Sequence, residues 1–265
     1  MKRVIQNLAL CGGMVLVMGC TALGKSESFT FTSDLPPDFT FEVTAEYVPA
    51  TGETCSVPGG RNTHVGFNKN GKEYKSSIDI VLYRTVSGCP LMLDLVEVKL
   101  RGIIARSEER SYTAYDYARF AVRPELMERS KGIFNAAGES EFSGQCQWLF
   151  RTIGPDRYIT KILTCRNTDT QGNVTKNIPF AAYTLDQLPG KTVRLKIKLA
   201  EEEVPYMGGT WVKVHGGWKR CMGESFEDQD AFCHGNYKDF STFRMLDERV
   251  CTIYPGCTEN GDVTP

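Results

Sequence analysis

The sequence predicts a mainly β protein, an antiparallel β-sandwich followed by a disulfide-rich C-terminal appendage. Apolar and polar residues alternate with a period of two along most of the body, turn residues punctuate the runs, and eight cysteines stand beyond residue 28. A period of two sends successive side chains to opposite faces, so each such segment buries one face and wets the other.

The first clear strand places Phe39, Phe41, Val43, Ala45 and Tyr47 on one face, with Thr40, Glu42, Thr44 and Glu46 opposite. Further strands are predicted over residues 78–86, 91–104, 115–122, 146–153, 158–165, 180–185 and Trp211–Val214. Within 91–104 the apolar parity changes near Leu95 and Val96, which calls for a bulge or a break. Asn70-Gly71, Gly154-Pro155-Asp156 and Pro189-Gly190 supply turn signals. Residues 124–131 (PELMERSK) alone predict a helix, with proline in the first turn and a run of helix formers. Val193, Leu195, Ile197 and Leu199 alternate with Thr192, Arg194, Lys196 and Lys198 in the last strong strand. Residues 29–219 form the sandwich in this reading. Residues 220–265 form the appendage, where sustained apolar runs are few and the fold depends on disulfides.

The cysteines Cys55, Cys89, Cys146, Cys165, Cys221, Cys233, Cys251 and Cys257 are even in number, as four disulfides require. Zinc is the rival use, but no CxxC occurs and Cys233-His234 is the one adjacent Cys-His pair. With residues 154–157 as a turn, Ile153 faces Tyr158, Trp148 faces Leu163 and Cys146 faces Cys165, so the cysteine and apolar registers agree. Cys55–Cys89 follows by elimination, and the last four cysteines pair in one of three ways.

The N-terminus carries an address. Lys2 and Arg3 precede an apolar run (LALCGGMVLVMG) that ends at Cys20. That run is short of the roughly 20 residues a membrane-spanning helix needs, and has the charge and length of a secretory signal. Val17, Met18, Gly19 and Cys20 resemble the lipobox of bacterial lipoproteins. The resemblance covers only this leader. It implies residues 1–19 as a signal peptide, cleavage before Cys20, and a diacylglyceryl thioether and N-acyl chain on Cys20 that hold the protein to a lipid bilayer. Thr21 stands where lipoproteins kept in the inner membrane typically carry Asp, so the resemblance implies the outer membrane. Residues 20–28 then form a small, polar, lipidated tether.

Composition narrows the chemistry further. Loss of Lys2 and Arg3 takes the formal charge from −1 to −3, which gives no general attraction to nucleic acid. His64, His215 and His234 are the only histidines, and none lies in a catalytic motif. Gly138-Glu139-Ser140 begins like a nucleophile elbow, but Phe142 occupies the second glycine position. The acidic clusters around Asp228 and Asp169 fail the calcium-loop pattern at Phe232 and Ile178 and read as solvated turns. Arg194, Lys196 and Lys198 read as protection of an edge or surface strand. No cofactor, metal site or catalytic residue is predicted.

Tyr115, Tyr117 and Arg119 share a strand face, and Trp211 and Trp218 flank glycine pairs. Tyr, Trp and Arg are the residue types that carry binding hot spots, so these five are the candidate partner-binding residues, with packing as the competing role. The expected function is a non-enzymatic, lipid-anchored binding module with an envelope protein as partner, in one specific form an immunity protein against a periplasm-targeted effector. An assembly lipoprotein of an envelope machine is the alternative, and a hydrolase the third.

Overall fold

The computed structural model describes residues 27–60, 62–68, 75–106, 111–176, 178–225 and 227–258. The signal segment, Cys20, most of the tether and Asn70-Gly71 lie outside the described residues.

Among the described residues eighteen strands follow one another: β1 (Ser28–Asp34), β2 (Phe39–Pro49), β3 (Thr63–Phe67), β4 (Ser77–Val81), β5 (Tyr83–Val86), β6 (Cys89–Arg106), β7 (Ser111–Arg123), β8 (Glu139–Ile153), β9 (Tyr158–Thr168), β10 (Ala181–Thr184), β11 (Thr192–Leu199), β12 (Val204–Pro205), β13 (Trp211–Val214), β14 (Gly217–Cys221), β15 (Phe240–Ser241), β16 (Phe243–Arg244), β17 (Val250–Cys251) and β18 (Tyr254–Pro255). A first sheet runs β17-β16-β9-β8-β11-β1-β4, with β12 also on β8. A second runs β10-β7-β6-β2-β3, with β5 on β6. A third runs β13-β14-β15, with β18 on β14.

The mainly β expectation holds, but the sandwich is mixed and not purely antiparallel. β11 runs parallel to both β8 and β1, and β10 runs parallel to β7. Alternation fixes which face of a strand is buried, not its direction. β10 ends where β8 and β1 begin, and the short stretch from Leu185 to Lys191 returns the chain into the first sheet from that same end.

Two local expectations differ in outcome. The parity change in β6 is a bulge: Glu46 faces Leu95 and Tyr47 faces Leu93, which leaves Asp94 unpaired in the ladder. Arg123 clasps it, donating to both the Asp94 carbonyl and its carboxylate at 2.6 Å. The helix over 124–131 is absent. Only a single 3-10 turn, Glu128–Ser130, forms there, and none of its residues is buried. A short segment with no apolar face to pack cannot repay helix nucleation.

The expected strand over 78–86 splits at Leu82, because the chain changes sheets. Its N–H donates to the Glu27 carbonyl at 2.8 Å, its carbonyl accepts from the Leu93 N–H at 2.8 Å, and its side chain is fully buried. Tyrosines pin the sheets elsewhere. Buried Tyr47 donates from β2 to the Val81 carbonyl of β4 at 2.8 Å, and buried Tyr183 of β10 meets Ser140 of β8 at 3.0 Å. Between them Phe120 packs against Phe29, Phe31, Phe142 and Tyr183 at centroid distances of 5.6 to 6.0 Å.

The inward face of β8 serves two cores in succession. Phe142, Cys146 and Trp148 belong to the main core. Phe150, one step further, joins Ile159, Trp211, Phe243 and Tyr254 in a second core under the third sheet. Trp211–Val214, expected in the sandwich, pairs instead with Gly217–Cys221 in that third sheet. The β8–β9 register sets Ile153 against Tyr158, Trp148 against Leu163 and Cys146 against Cys165, as the sequence predicts.

All four disulfides are present. Cys55–Cys89 and Cys146–Cys165 pair as expected, and the open choice among the last four resolves to Cys221–Cys233 and Cys251–Cys257.

Candidate functional site

The five candidate residues fall into two unconnected groups. Tyr115, Tyr117 and Arg119 stand on the outer face of the second sheet, because Ala118 and Phe120 of the same strand turn inward. Strand pairing then sets their neighbours. Tyr115 lies opposite Arg101, Tyr117 opposite Lys99, and Arg119 opposite Glu97 on β6. On β2, Thr40 and Glu42 continue the first two rows.

Charge and aromatic groups interlock across this face. Arg119 pairs with Glu97 at 2.7 Å and covers the Tyr117 ring at 5.1 Å. Lys99 Nζ sits 4.0 Å from the centre of the Tyr115 ring, and the two tyrosine rings meet edge to face at 5.7 Å. Arg101 pairs with Glu42 at 2.9 Å. Tyr115 is half exposed, at 51%. Partial desolvation together with Glu97, Tyr115 and Glu42 raises the Tyr117 pKa, the Arg119 cation opposing, so the phenol is a neutral donor at physiological pH. These contacts hold long side chains in place before any partner arrives, which lowers the entropy lost on binding. Lys99, Glu97, Arg101 and Glu42 were not singled out from sequence; the β2–β6–β7 register is the signal that finds them.

Beside this face, the carboxylate of Asp116 accepts from the Cys165 N–H at 2.6 Å, on the stretch of β9 beyond its pairing with β16 at Tyr158. Tyr117 and Arg119 also line a small cleft there, about 240 Å³, with Arg166 and Lys176.

Trp211 and Trp218 play the packing role. Trp211 is 7% exposed and meets Phe150 at 5.0 Å and Phe243 at 5.3 Å, so it is unavailable to a partner. Half-buried Trp218 packs on Phe150 at 6.1 Å, with Lys213 over its ring at 5.7 Å. The glycines beside them make a tight corner. Arg220, on the strand after it, is 2% exposed and donates to Thr152 Oγ1, Ser241 Oγ and the carbonyls of Cys221, Asp228 and Gln229. Burial and the neighbouring Arg157 charge lower its pKa to about 10, still well above neutrality.

The remaining candidates separate in space. Ser140 is buried and bonded to Tyr183, whereas His64 lies on β3, His215 in the β13–β14 turn and His234 in the loop before β15, all exposed. The Asp228 carboxylate accepts from the N–H groups of Ala231, Asp230 and Glu224, and these bonds, the Ala231 one foremost, depress its pKa. Asp169 accepts likewise from Asn173 and Gln171. Both carboxylates therefore organise their own loops. Arg194 and Lys196 face Glu139 and Glu141 at 3.6 and 3.9 Å on β8, so the basic stripe lies on an interior strand with two of its three charges met, not on an edge.

Tyr254 donates to Glu203, which also holds Lys161 at 2.6 Å. Burial and the Glu203 carboxylate push the phenol pKa far up, so this cluster fixes the second core in a neutral-phenol state. No protein-family model, curated protein or solved structure matches the chain.

Proposed function

We propose that the protein is a non-enzymatic binding module, anchored through acylated Cys20 to the bacterial outer membrane, that captures an envelope protein on the outer face of the second sheet. The observation that carries this reading is the preformed array of Tyr115, Tyr117, Arg119, Lys99 and Glu97. It offers aromatic surface and paired charges in fixed positions, the composition of an interaction hot spot. The specific form is an immunity lipoprotein whose partner is a toxic effector delivered to the periplasm.

The test uses soluble protein lacking residues 1–20 and the purified product of any secreted effector gene adjacent to its own. Titration calorimetry should show binding that the combined Tyr115→Ala and Tyr117→Ala substitutions weaken by at least about 2 kcal/mol, the size of a hot-spot loss, with circular dichroism unchanged. Binding that survives both substitutions removes this face from the interface. A hydrolytic activity lost in His64→Ala, His215→Ala or His234→Ala replaces the binding reading with an enzymatic one.

A further inference from the structure

The end of the sandwich where the chain enters carries exposed apolar side chains in an arrangement that interior packing does not require. β1, β8 and β11 all begin at this end, and β7 and β10 finish there. Hydrogen bonds tie the corner together: Gly190 N–H donates to the Ser28 carbonyl at 2.8 Å, and Thr192 N–H to the Gly138 carbonyl at 3.0 Å. Glu27, Tyr83, Leu126, Lys131 and Asp186 line one open cleft of about 960 Å³. The connection from β7 to β8 crosses the same end and exposes Met127 at 63% and Ile133 at 85%, and Tyr83 beside the cleft is 49% exposed.

We infer that this end is a membrane-contact surface, with Met127 as the leading side chain, Ile133 and Tyr83 supporting it, and the phospholipid surface as the occupant. The inference rests on the lipid anchor at Cys20. Seven peptide steps separate Cys20 from Glu27, and even a fully extended chain spans only about 25 Å over them, so an anchored body cannot drift far from the bilayer. At that distance the tether keeps the apolar end at high local concentration against the lipid, and side chains too few to bind from solution can dip into the headgroup region. Charge does not drive the contact. Lys131 is paired with Glu128 at 2.8 Å, and Glu27 and Asp186 share the cleft.

The surface also sets an orientation. Ile153, at the far end of the 15-residue strand β8, stands about 46 Å away at roughly 3.3 Å per residue, next to the third sheet and its second core. The third sheet, with its disulfides, therefore points away from the bilayer, and the Tyr115–Arg119 face stands along the side of the molecule where a soluble partner reaches it.

Two reporters test this in the full-length, acylated protein reconstituted into vesicles of phosphatidylethanolamine and phosphatidylglycerol with and without brominated acyl chains. Met127→Trp is expected to shift to the blue on reconstitution and to lose at least about half of its added fluorescence to brominated lipid. Ile153→Trp, 44% exposed in the distal turn, is expected to show neither change. Mass spectrometry of the N-terminal peptide is read on the same sample. Acylated Cys20 with no quenching of the Met127→Trp reporter overturns the contact surface while leaving the anchor standing. An unacylated N-terminus overturns the anchor and this inference together. A blue shift without bromolipid quenching assigns the surface to a protein neighbour, including a second copy, and overturns the lipid assignment.

Discussion

Arg220→Met probes what holds the cap onto the sandwich. The guanidinium of Arg220 is buried, and its five hydrogen bonds reach neutral acceptors on four elements: Thr152 of β8, Cys221 of β14, Ser241 of β15 and the loop at Asp228 and Gln229. Two effects oppose each other. Methionine removes the desolvation cost of a buried cation, and full replacement of buried charged groups by apolar ones is often neutral or stabilising. Here, however, the acceptors stay. Thr152 Oγ1, Ser241 Oγ and the Gln229 carbonyl, bonded at 2.9 to 3.0 Å, lose their donor together. At about 1 kcal/mol for each stranded acceptor the loss is about 3 kcal/mol, and the smaller Met side chain cannot close the space it leaves. Arg220→Lys retains the charge but not the fork, and should lose somewhat less. Urea unfolding of oxidised protein, followed by tryptophan fluorescence from Trp211 and Trp218, measures both. A Met variant as stable as the parent would show that burying the cation costs more than its bonds return, and that apolar packing alone holds the cap.

The disulfides should contribute in the order of the loops they close. Sequence separations of 34, 19, 12 and 6 correspond to loop-entropy losses of about 3.8, 3.2, 2.8 and 2.2 kcal/mol for Cys55–Cys89, Cys146–Cys165, Cys221–Cys233 and Cys251–Cys257. Paired Cys→Ala variants compared by urea midpoint check the order, and a Cys251–Cys257 deletion costing most would contradict it. Alkaline pH should open the sandwich through Tyr47 and Tyr183, whose burial pushes each pKa to about 12. Both phenols bind their protons more tightly folded than unfolded. Their stabilisation is full below the unfolded value of about 10 and is lost as pH rises from there toward 12, by roughly 3 kcal/mol each at most. A Tyr47→Phe, Tyr183→Phe double variant that loses as much stability between pH 10 and 12 as the parent would refute this.

What the sequence disclosed was local, and what it hid was placement. Alternation located β2, β7, β9 and β11 and the bulge at Asp94, since a parity change is a direct consequence of the pleat. The Cys146–Cys165 register was legible because a turn, two strands and an apolar pair all fixed the same offset. Strand direction was not, because a hydrophobic face is the same read either way, and so the parallel neighbours of β11 had no signature. Trp211 and Tyr115 likewise differ in fate although both are large aromatics of the kind that carries hot spots. One shares a sheet with β14 over Phe150, the other lies across from Arg101, and only pairing between distant strands separates them.

The glycine pair at 216 and 217 shows how such placement can be tested. Beside Trp218 it suits either a partner-binding site or a packed corner, and the close contact at Gly217 decides for the corner. Gly217 has φ +149°, and a Cβ there would lie 1.9 Å from the Tyr254 carbonyl oxygen of β18. That neighbour is backbone, so no side-chain rotation can relieve the clash. β14 would have to part from β18, and Tyr254 would carry its ring off Phe150, which it now meets at 4.3 Å. Gly217→Ala should therefore loosen the second core while leaving the main one intact, because Phe120 and its neighbours share no element with the β14–β18 contact. Hydrogen exchange should show faster opening of β13, β14 and β18 with β2, β6 and β7 still protected. Unchanged protection in the third sheet would mean that this corner yields without strain.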